Sequence, residues 1–435
     1  MLKSALLSIS VVLTLTLGPG GAPLLADEFS FEVEEFEKSS FASGGYAEAK
    51  WEHINLNENG AIARLTRYSD PVATLDRVSV TTQLNGSYIH DIYTLQWLLQ
   101  ASGTWEEDQW DDYADVFEAY ATIKPSPNLT GTLGKKAYKW GKGYAWNPVG
   151  FINRFKDPNN PDEALEGYLT GEAEMVKSFS GDLQTLALTT VLLPVMDGVN
   201  EEFGAADNLN LATRLYLLYK NTDIDFLFYT GNSSSTRMGV DFSRNITTNF
   251  EIHGEYGFFP DLVKNYLEGS DSITRRKDTA HSYLFGIRYL SEFNLTSIVE
   301  YYHNGGGYSS DELSQFYALV AEGAAQYEET GSDSLLQMAG RFGQQGYTKP
   351  YLGTDYLYGR FSLKEPGDIL YFTPALTAIY NVDDQSYSLT PELLYTGFTN
   401  WELRLRFSLL GGGSYSEYGE KQNHNKVELR LRWFF

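Results

Sequence analysis

About eighteen stretches of 10–15 residues in this chain alternate apolar and polar side chains, and the connections between them alternate too, short then long. A period of two belongs to extended strands whose two faces meet different surroundings. The first candidates fall near 44–57, 76–90, 92–105, 112–123, 128–140, 166–179, 181–194, 207–220 and 222–231. The rest fall near 235–245, 247–259, 279–291, 294–303, 351–364, 367–380, 385–398, 400–412 and 423–435. Tight connections such as His90-Asp91, Lys124–Asn128, Ser180–Asp182, Lys220–Asp223 and Thr399-Asn400 are rich in the turn formers Asn, Asp, Gly and Pro. Between them lie the long connections 58–75, 141–165, 195–206, 260–278, 304–350 and 413–422. Brief turns on one side and extended loops on the other are the pattern of a transmembrane antiparallel up-and-down β-barrel. That geometry demands an even strand count, about 18, with both termini on the periplasmic side.

A soluble β-sandwich would account for the alternation but not for the asymmetry of the connections. Mean hydropathy is −0.32 and no stretch after the N-terminal region reaches the run of roughly 18 apolar residues that a spanning helix needs. Barrel strands average out as polar, so neither fact argues against the membrane. The net charge of −24 opposes a nucleic-acid partner and suits loops exposed to divalent cations. The chain has no Cys, which excludes disulfides, a lipoprotein anchor and c-type haem attachment.

Met1-Leu2-Lys3, the apolar run Ala5–Leu17, a Gly/Pro break and Leu24-Leu25-Ala26 have the three regions of a secretory signal peptide, here 1–26. A single N-terminal membrane anchor is the alternative. A periplasmic N-terminal segment, 27–43, precedes the barrel at 44–435. Within the 304–350 connection, Leu313, Phe316, Tyr317, Val320 and Ala321 recur at helical spacing, so Asp311–Glu329 is expected to be helical.

The last strand, VELRLRWFF, sets Val427, Leu429, Leu431, Trp433 and Phe435 on one face and Glu428, Arg430 and Arg432 on the other. Strand 400–412 repeats this with Glu402, Arg404 and Arg406 opposite Trp401, Leu403, Leu405 and Phe407. An Arg facing lipid near the bilayer midplane costs roughly 2–4 kcal/mol, so the Arg face must meet water. Arg404, Arg406, Arg430 and Arg432 are therefore expected to line a pore as a basic wall. Glu118, Glu172, Glu174, Glu251 and Glu255 are expected on an acidic wall across from it, and a transverse field between the two would orient solutes. The alternative is that neighbouring Glu residues simply neutralise the Arg. His253, between Glu251 and Glu255, reads as a solvated pore-wall residue, with a titratable lumen group as the sharper possibility.

The third outer connection with its flanks, Gly131–Gly167, concentrates Lys135, Lys136, Lys139, Lys142, Arg154 and Lys156 among Trp140, Tyr144, Trp146 and Phe151. Lys139, Trp140, Lys142, Tyr144, Trp146 and Arg154 are candidates for a constriction. They could grip sugars or anions, pin the loop to lipopolysaccharide phosphates, or pin it to the acidic wall.

The strand ending in Trp433 and Phe435 resembles the aromatic terminal signal by which bacterial outer-membrane barrels are recognised for assembly. The third loop resembles the inward-folded constriction loop of porins. The run Gly134-Lys-Lys-Ala-Tyr-Lys-Trp-Gly141 with Asn147-Pro148 is similar to a region of porin-like channels related to the alginate-export family. That resemblance implies an eighteen-strand channel, and the Glu beside the Arg ladder puts polyanion export in doubt. No HExxH, GxSxG or P-loop occurs and the six His are not at metal-ligand spacing. The expectation is an outer-membrane channel for passive diffusion of small polar or charged solutes, without cofactor or covalent chemistry. Its partners would be outer-membrane lipid, lipopolysaccharide and the barrel-assembly machinery. A barrel sheath around an electron-transfer partner and a barrel enzyme are the rival readings.

Overall fold

The computed structural model describes residues 40–161, 163–269 and 272–435. The expected signal peptide and most of the expected periplasmic segment lie outside the described residues. β1 (Phe41–Leu56), β2 (Thr74–His90), β3 (Tyr93–Glu106), β4 (Gln109–Ser126), β5 (Leu129–Lys136) and β6 (Tyr168–Ser178) run up and down in chain order. β7 (Leu183–Val195), β8 (Asn208–Tyr219), β9 (Thr222–Thr230), β10 (Arg237–Thr247), β11 (Phe250–Glu268) and β12 (Ser272–Leu290) continue the meander. β13 (Leu295–His303), β14 (Asp355–Leu363), β15 (Phe372–Asn381), β16 (Tyr387–Tyr395), β17 (Trp401–Gly411) and β18 (Asn423–Phe434) complete an 18-stranded antiparallel sheet.

The sheet closes on itself. β18 pairs with β1 from Tyr46↔Phe434 to Leu56↔Asn423. Beyond that ladder, the Phe435 N–H donates to the Gly45 carbonyl and the Gly45 N–H to the Phe435 carbonyl, both at 3.1 Å. Closure satisfies every strand edge, which hydrocarbon requires. The alternation sorts the two faces: Trp51, Leu405, Leu429 and Leu431 are 40–42% exposed, whereas Glu52, Arg406 and Arg430 are 2–5% exposed. A continuous apolar outer band with charges turned inward suits a bilayer outside and water inside. Among the described residues no helix is long and apolar enough to cross a membrane.

Several connections differ from the sequence expectation. The barrel begins at Phe41, inside the segment assigned to the periplasm. Residues 260–278 are mostly not a loop: β11 and β12 continue past a bulge between Phe259 and Leu262 as a tall outer hairpin. Alternation breaks at the bulge, and that break is what made the segment look irregular. The third connection is longer than 141–165, because β5 stops at Lys136 and β6 starts at Tyr168.

The 304–350 connection folds as expected into helices, α2 (Ser310–Thr330) and α3 (Ser334–Phe342), following α1 (Ala61–Arg67) in the first outer connection. A capping box starts α2: the Ser309 hydroxyl accepts from Glu312 N–H, and the Glu312 carboxylate accepts from Ser309 N–H at 2.8 Å. Leu313, Phe316, Val320, Leu336 and Ala339 form a core with Leu267 of the tall hairpin and Ala61 of α1. Phe316 is fully buried there. Phe316→Ala is expected to cost this outer subdomain about 3–5 kcal/mol, seen as new protease cleavage in 304–354 while the barrel stays resistant. Unchanged protection would mean the helices are held from elsewhere.

Candidate functional site

Strand register brings three carboxylates to one level of the wall. Asp225 of β9 lies opposite Asp241 of β10, and Asp241 lies opposite Glu255 of β11. One step nearer the periplasm, His253 of β11, Gly286 of β12 and Glu300 of β13 share the next level. Gly286 is what lets that row connect. A Cβ there would lie 2.2 Å from His253 Nε2, so its absence opens the path for the His253 ring to donate to Glu300 Oε1 at 2.9 Å. All five ionisable side chains are buried.

What buries them is the third connection, 137–167, which folds into the lumen. Glu255 Oε1 accepts the N–H groups of Lys142 and Gly143, both at 2.6 Å, and the Asn147 amide at 2.8 Å. Its Oε2 accepts the Val149 N–H at 3.2 Å. Glu300 takes the next pair, Tyr144 N–H at 2.5 Å and Ala145 N–H at 2.8 Å. Two carboxylates thus satisfy five backbone donors of an irregular loop, which otherwise could not be buried. Lys142 adds its ammonium, 2.7 Å from Asp225 and 3.7 Å from Asp241. Burial opposes the charge on Lys142, but Asp241 and Asp225 outweigh it and hold its pKa above the usual lysine range. Lys142→Met would leave buried Asp241 without its cation and Asp225 with Arg214 alone, 3.8 Å away, and we expect a loss of about 3–5 kcal/mol in barrel stability. Thermal melting in detergent checks it, an unchanged midpoint being the contrary result.

From this anchor the loop crosses to the other side of the lumen. Tyr358 of β14 donates its hydroxyl to the Pro158 carbonyl at 3.2 Å. Arg404 and Arg406 of β17 donate to Asn160 Oδ1 at 3.3 Å and to the Asn159 carbonyl at 3.4 Å. The chain returns to β6 past Arg154, which stacks on Tyr168 at 4.2 Å and pairs with Glu166 and Glu202.

Arg404, Arg406, Arg430 and Arg432 all point inward, but they do not form an uninterrupted ladder. Arg404, Arg430 and Lys50 make one row across β17, β18 and β1. The rows on either side mix signs: Glu402–Arg432–Glu48 on one, Arg406–Glu428–Glu52 on the other. The closest pairs are Arg432 with Glu48 and Arg406 with Glu392, each at 2.6 Å, then Arg404 with Glu402 at 3.0 Å and Arg430 with Glu428 at 3.3 Å. Neutralisation by neighbouring Glu, the bland alternative, describes much of this wall.

Other expectations are corrected. Glu251 and Glu255 do not face the Arg row across open water, because the loop lies between. Glu251 instead sits beside Tyr144 and Arg288. Glu118 accepts the Ala137 N–H, Glu172 pairs with Lys136 at 2.9 Å, and Glu174 accepts from Thr189, so these three belong to a separate side, near the loop's base. Trp140 and Trp146 are buried, 4% and 8% exposed, and cannot stack on a solute. Trp146 packs on Tyr302, Tyr356 and Tyr358. His253 is not solvated. Among the basic loop residues, Lys139 stays exposed. Trp433 and Phe435 lie on the apolar outer face, about 41% and 43% exposed.

Sequence reasoning missed Asp225, Asp241 and Glu300, because each gains meaning only from its cross-strand neighbours. It also missed a neutral band on β2 and β3, where Thr81 meets Ser102 at 2.9 Å and Gln83 meets Gln100 at 3.1 Å. Inward polar residues at alternate positions were the available signal.

Solved structures from Pseudomonas aeruginosa and Acinetobacter baumannii share this architecture. Pseudomonas aeruginosa OccK2 (OpdF), solved in complex with glucuronate, matches with a TM-score of 0.53 and 11% identity over 91% of this chain and 98% of that one. Acinetobacter baumannii OccAB1 matches at 0.52 and 11% identity over 90% and 96%. Pseudomonas aeruginosa OccK5 (OpdH) matches at 0.51 and 12% identity over 90% and 98%. The fold is that of outer-membrane porins. No family model matches the chain, and no curated protein does. The resemblance to the alginate-export family finds no support in these comparisons.

Proposed function

We propose that the chain is an outer-membrane channel for passive diffusion of small polar or charged solutes, placed there after removal of a signal peptide at about residue 26. The observation that carries this reading is the loop 137–167, pinned across the lumen by Glu255 and Glu300 on one side and by Tyr358, Arg404 and Arg406 on the other. A loop held at mid-barrel narrows a pore to solute dimensions. It also disfavours a sheath, which needs a wide empty lumen for its partner.

Selectivity in this reading rests on the row Arg404–Arg430–Lys50, which places three cations side by side. A small carboxylate, of the kind represented by the glucuronate bound to OccK2, suits that row. Trp433 and Phe435 remain our candidates for the contact read by the assembly machinery. Recording single channels from the refolded barrel in planar bilayers tests the function: discrete conductance steps are expected, and a barrel that passes no current would overturn it.

A further inference from the structure

The crossing loop carries one side chain that its neighbours leave entirely uncovered. Phe155 is 96% exposed, more than any other large apolar residue that stands open in the described structure. Both residues flanking it are tied down inside the barrel. Arg154 is held against Tyr168, Glu166 and Glu202, and the Lys156 ammonium donates to the Gly143 carbonyl at 2.7 Å. Three residues further on, Pro158 is fixed to Tyr358. The backbone at 154–158 therefore runs between fixed wall contacts while the Phe155 ring is left bare. The other loop aromatics behave in the opposite way: Trp140, Trp146 and Phe151 are 2–8% exposed and pack against the wall.

We propose that Phe155 is a specificity-determining residue of the channel, contacting solutes that carry an apolar ring face. This deepens the channel reading and rests on it. A fully exposed phenyl ring in a confined, water-filled passage gains from any partner that covers it, and a flat ring covers it best. Charged and neutral polar groups elsewhere on the wall cannot supply that contact. A ring-bearing carboxylate would thus be held at two points, its charge by the basic row and its ring by Phe155, whereas an acyclic carboxylate is held only by the first.

Benzoate and acetate separate the two contacts, because both carry one carboxylate and only one carries a ring. Their relative permeabilities and the duration of their current interruptions are read from single channels of the full barrel. The wild-type channel is expected to prefer benzoate, and Phe155→Ala to reduce that preference roughly three- to tenfold while leaving acetate unaffected. Phe155→Tyr is expected to keep it. So exposed a side chain supports no packing, so F155A should fold, with heat-modifiable gel mobility as the check. An unchanged benzoate-to-acetate ratio in a conducting F155A barrel would overturn this inference alone. A wild-type barrel passing no current would overturn the channel reading and this inference together.

Discussion

Replacing Glu255 and Glu300 together by Gln is expected to release the constriction loop and raise single-channel conductance severalfold. Five backbone N–H groups and one side-chain amide converge on these two carboxylates. A Gln in either place offers one oxygen and turns an NH2 group toward the remaining donors. Each substitution leaves buried donors facing a donor, a cost of roughly 1–3 kcal/mol. The barrel strands keep their own ladders, so the loss falls mainly on the loop. Cleavage by an added protease within 137–167 should rise in step with conductance. A double variant with wild-type conductance and a protected loop would show that Lys142 and the far-side contacts hold the loop without the carboxylates. Gly286→Ala offers an independent route to the same outcome: its Cβ would displace His253 and with it one support of Glu300.

Charge selectivity should move the other way along the wall. With Arg404 and Arg430 changed to Gln, the row loses two of its three cations while Glu48, Glu402 and Glu428 remain. The wall then turns acidic, and the reversal potential in a salt gradient should shift toward cations. Arg430 is 4% exposed and pairs with Glu428 at 3.3 Å, so its loss is expected to cost the fold about 3–5 kcal/mol. Recording must therefore start from barrels shown to be folded. Arg404 also holds Asn160 of the loop, and the single R430Q variant separates loss of charge from loss of loop anchoring. A reversal potential unchanged in both variants would remove this row from the selectivity filter.

Much of the architecture was legible in the residues alone. Period-two alternation and the short–long rhythm of the connections led to the strand number and to the inward placement of all four Arg. Those are local properties, repeated many times, and no distant partner is needed to read them. The tall hairpin escaped because a bulge between Phe259 and Leu262 shifts the phase of the pattern. Composition marked the third loop as unusual yet misjudged its parts: the Trp residues are buried against the wall, and the unremarked Phe155 is the exposed one.

The sequence by itself determined a closed barrel with an apolar exterior and a charged interior, because alternation specifies which face each side chain takes. Only the tertiary structure decided which inward charges meet. Asp225, Asp241 and Glu255 sit on three successive strands and share one level solely through antiparallel register. Arg430 faces Arg404 and Lys50 for the same reason. A charge's role in the lumen depends on its neighbours across strands and on whether a loop covers it, and neither is encoded in its own segment.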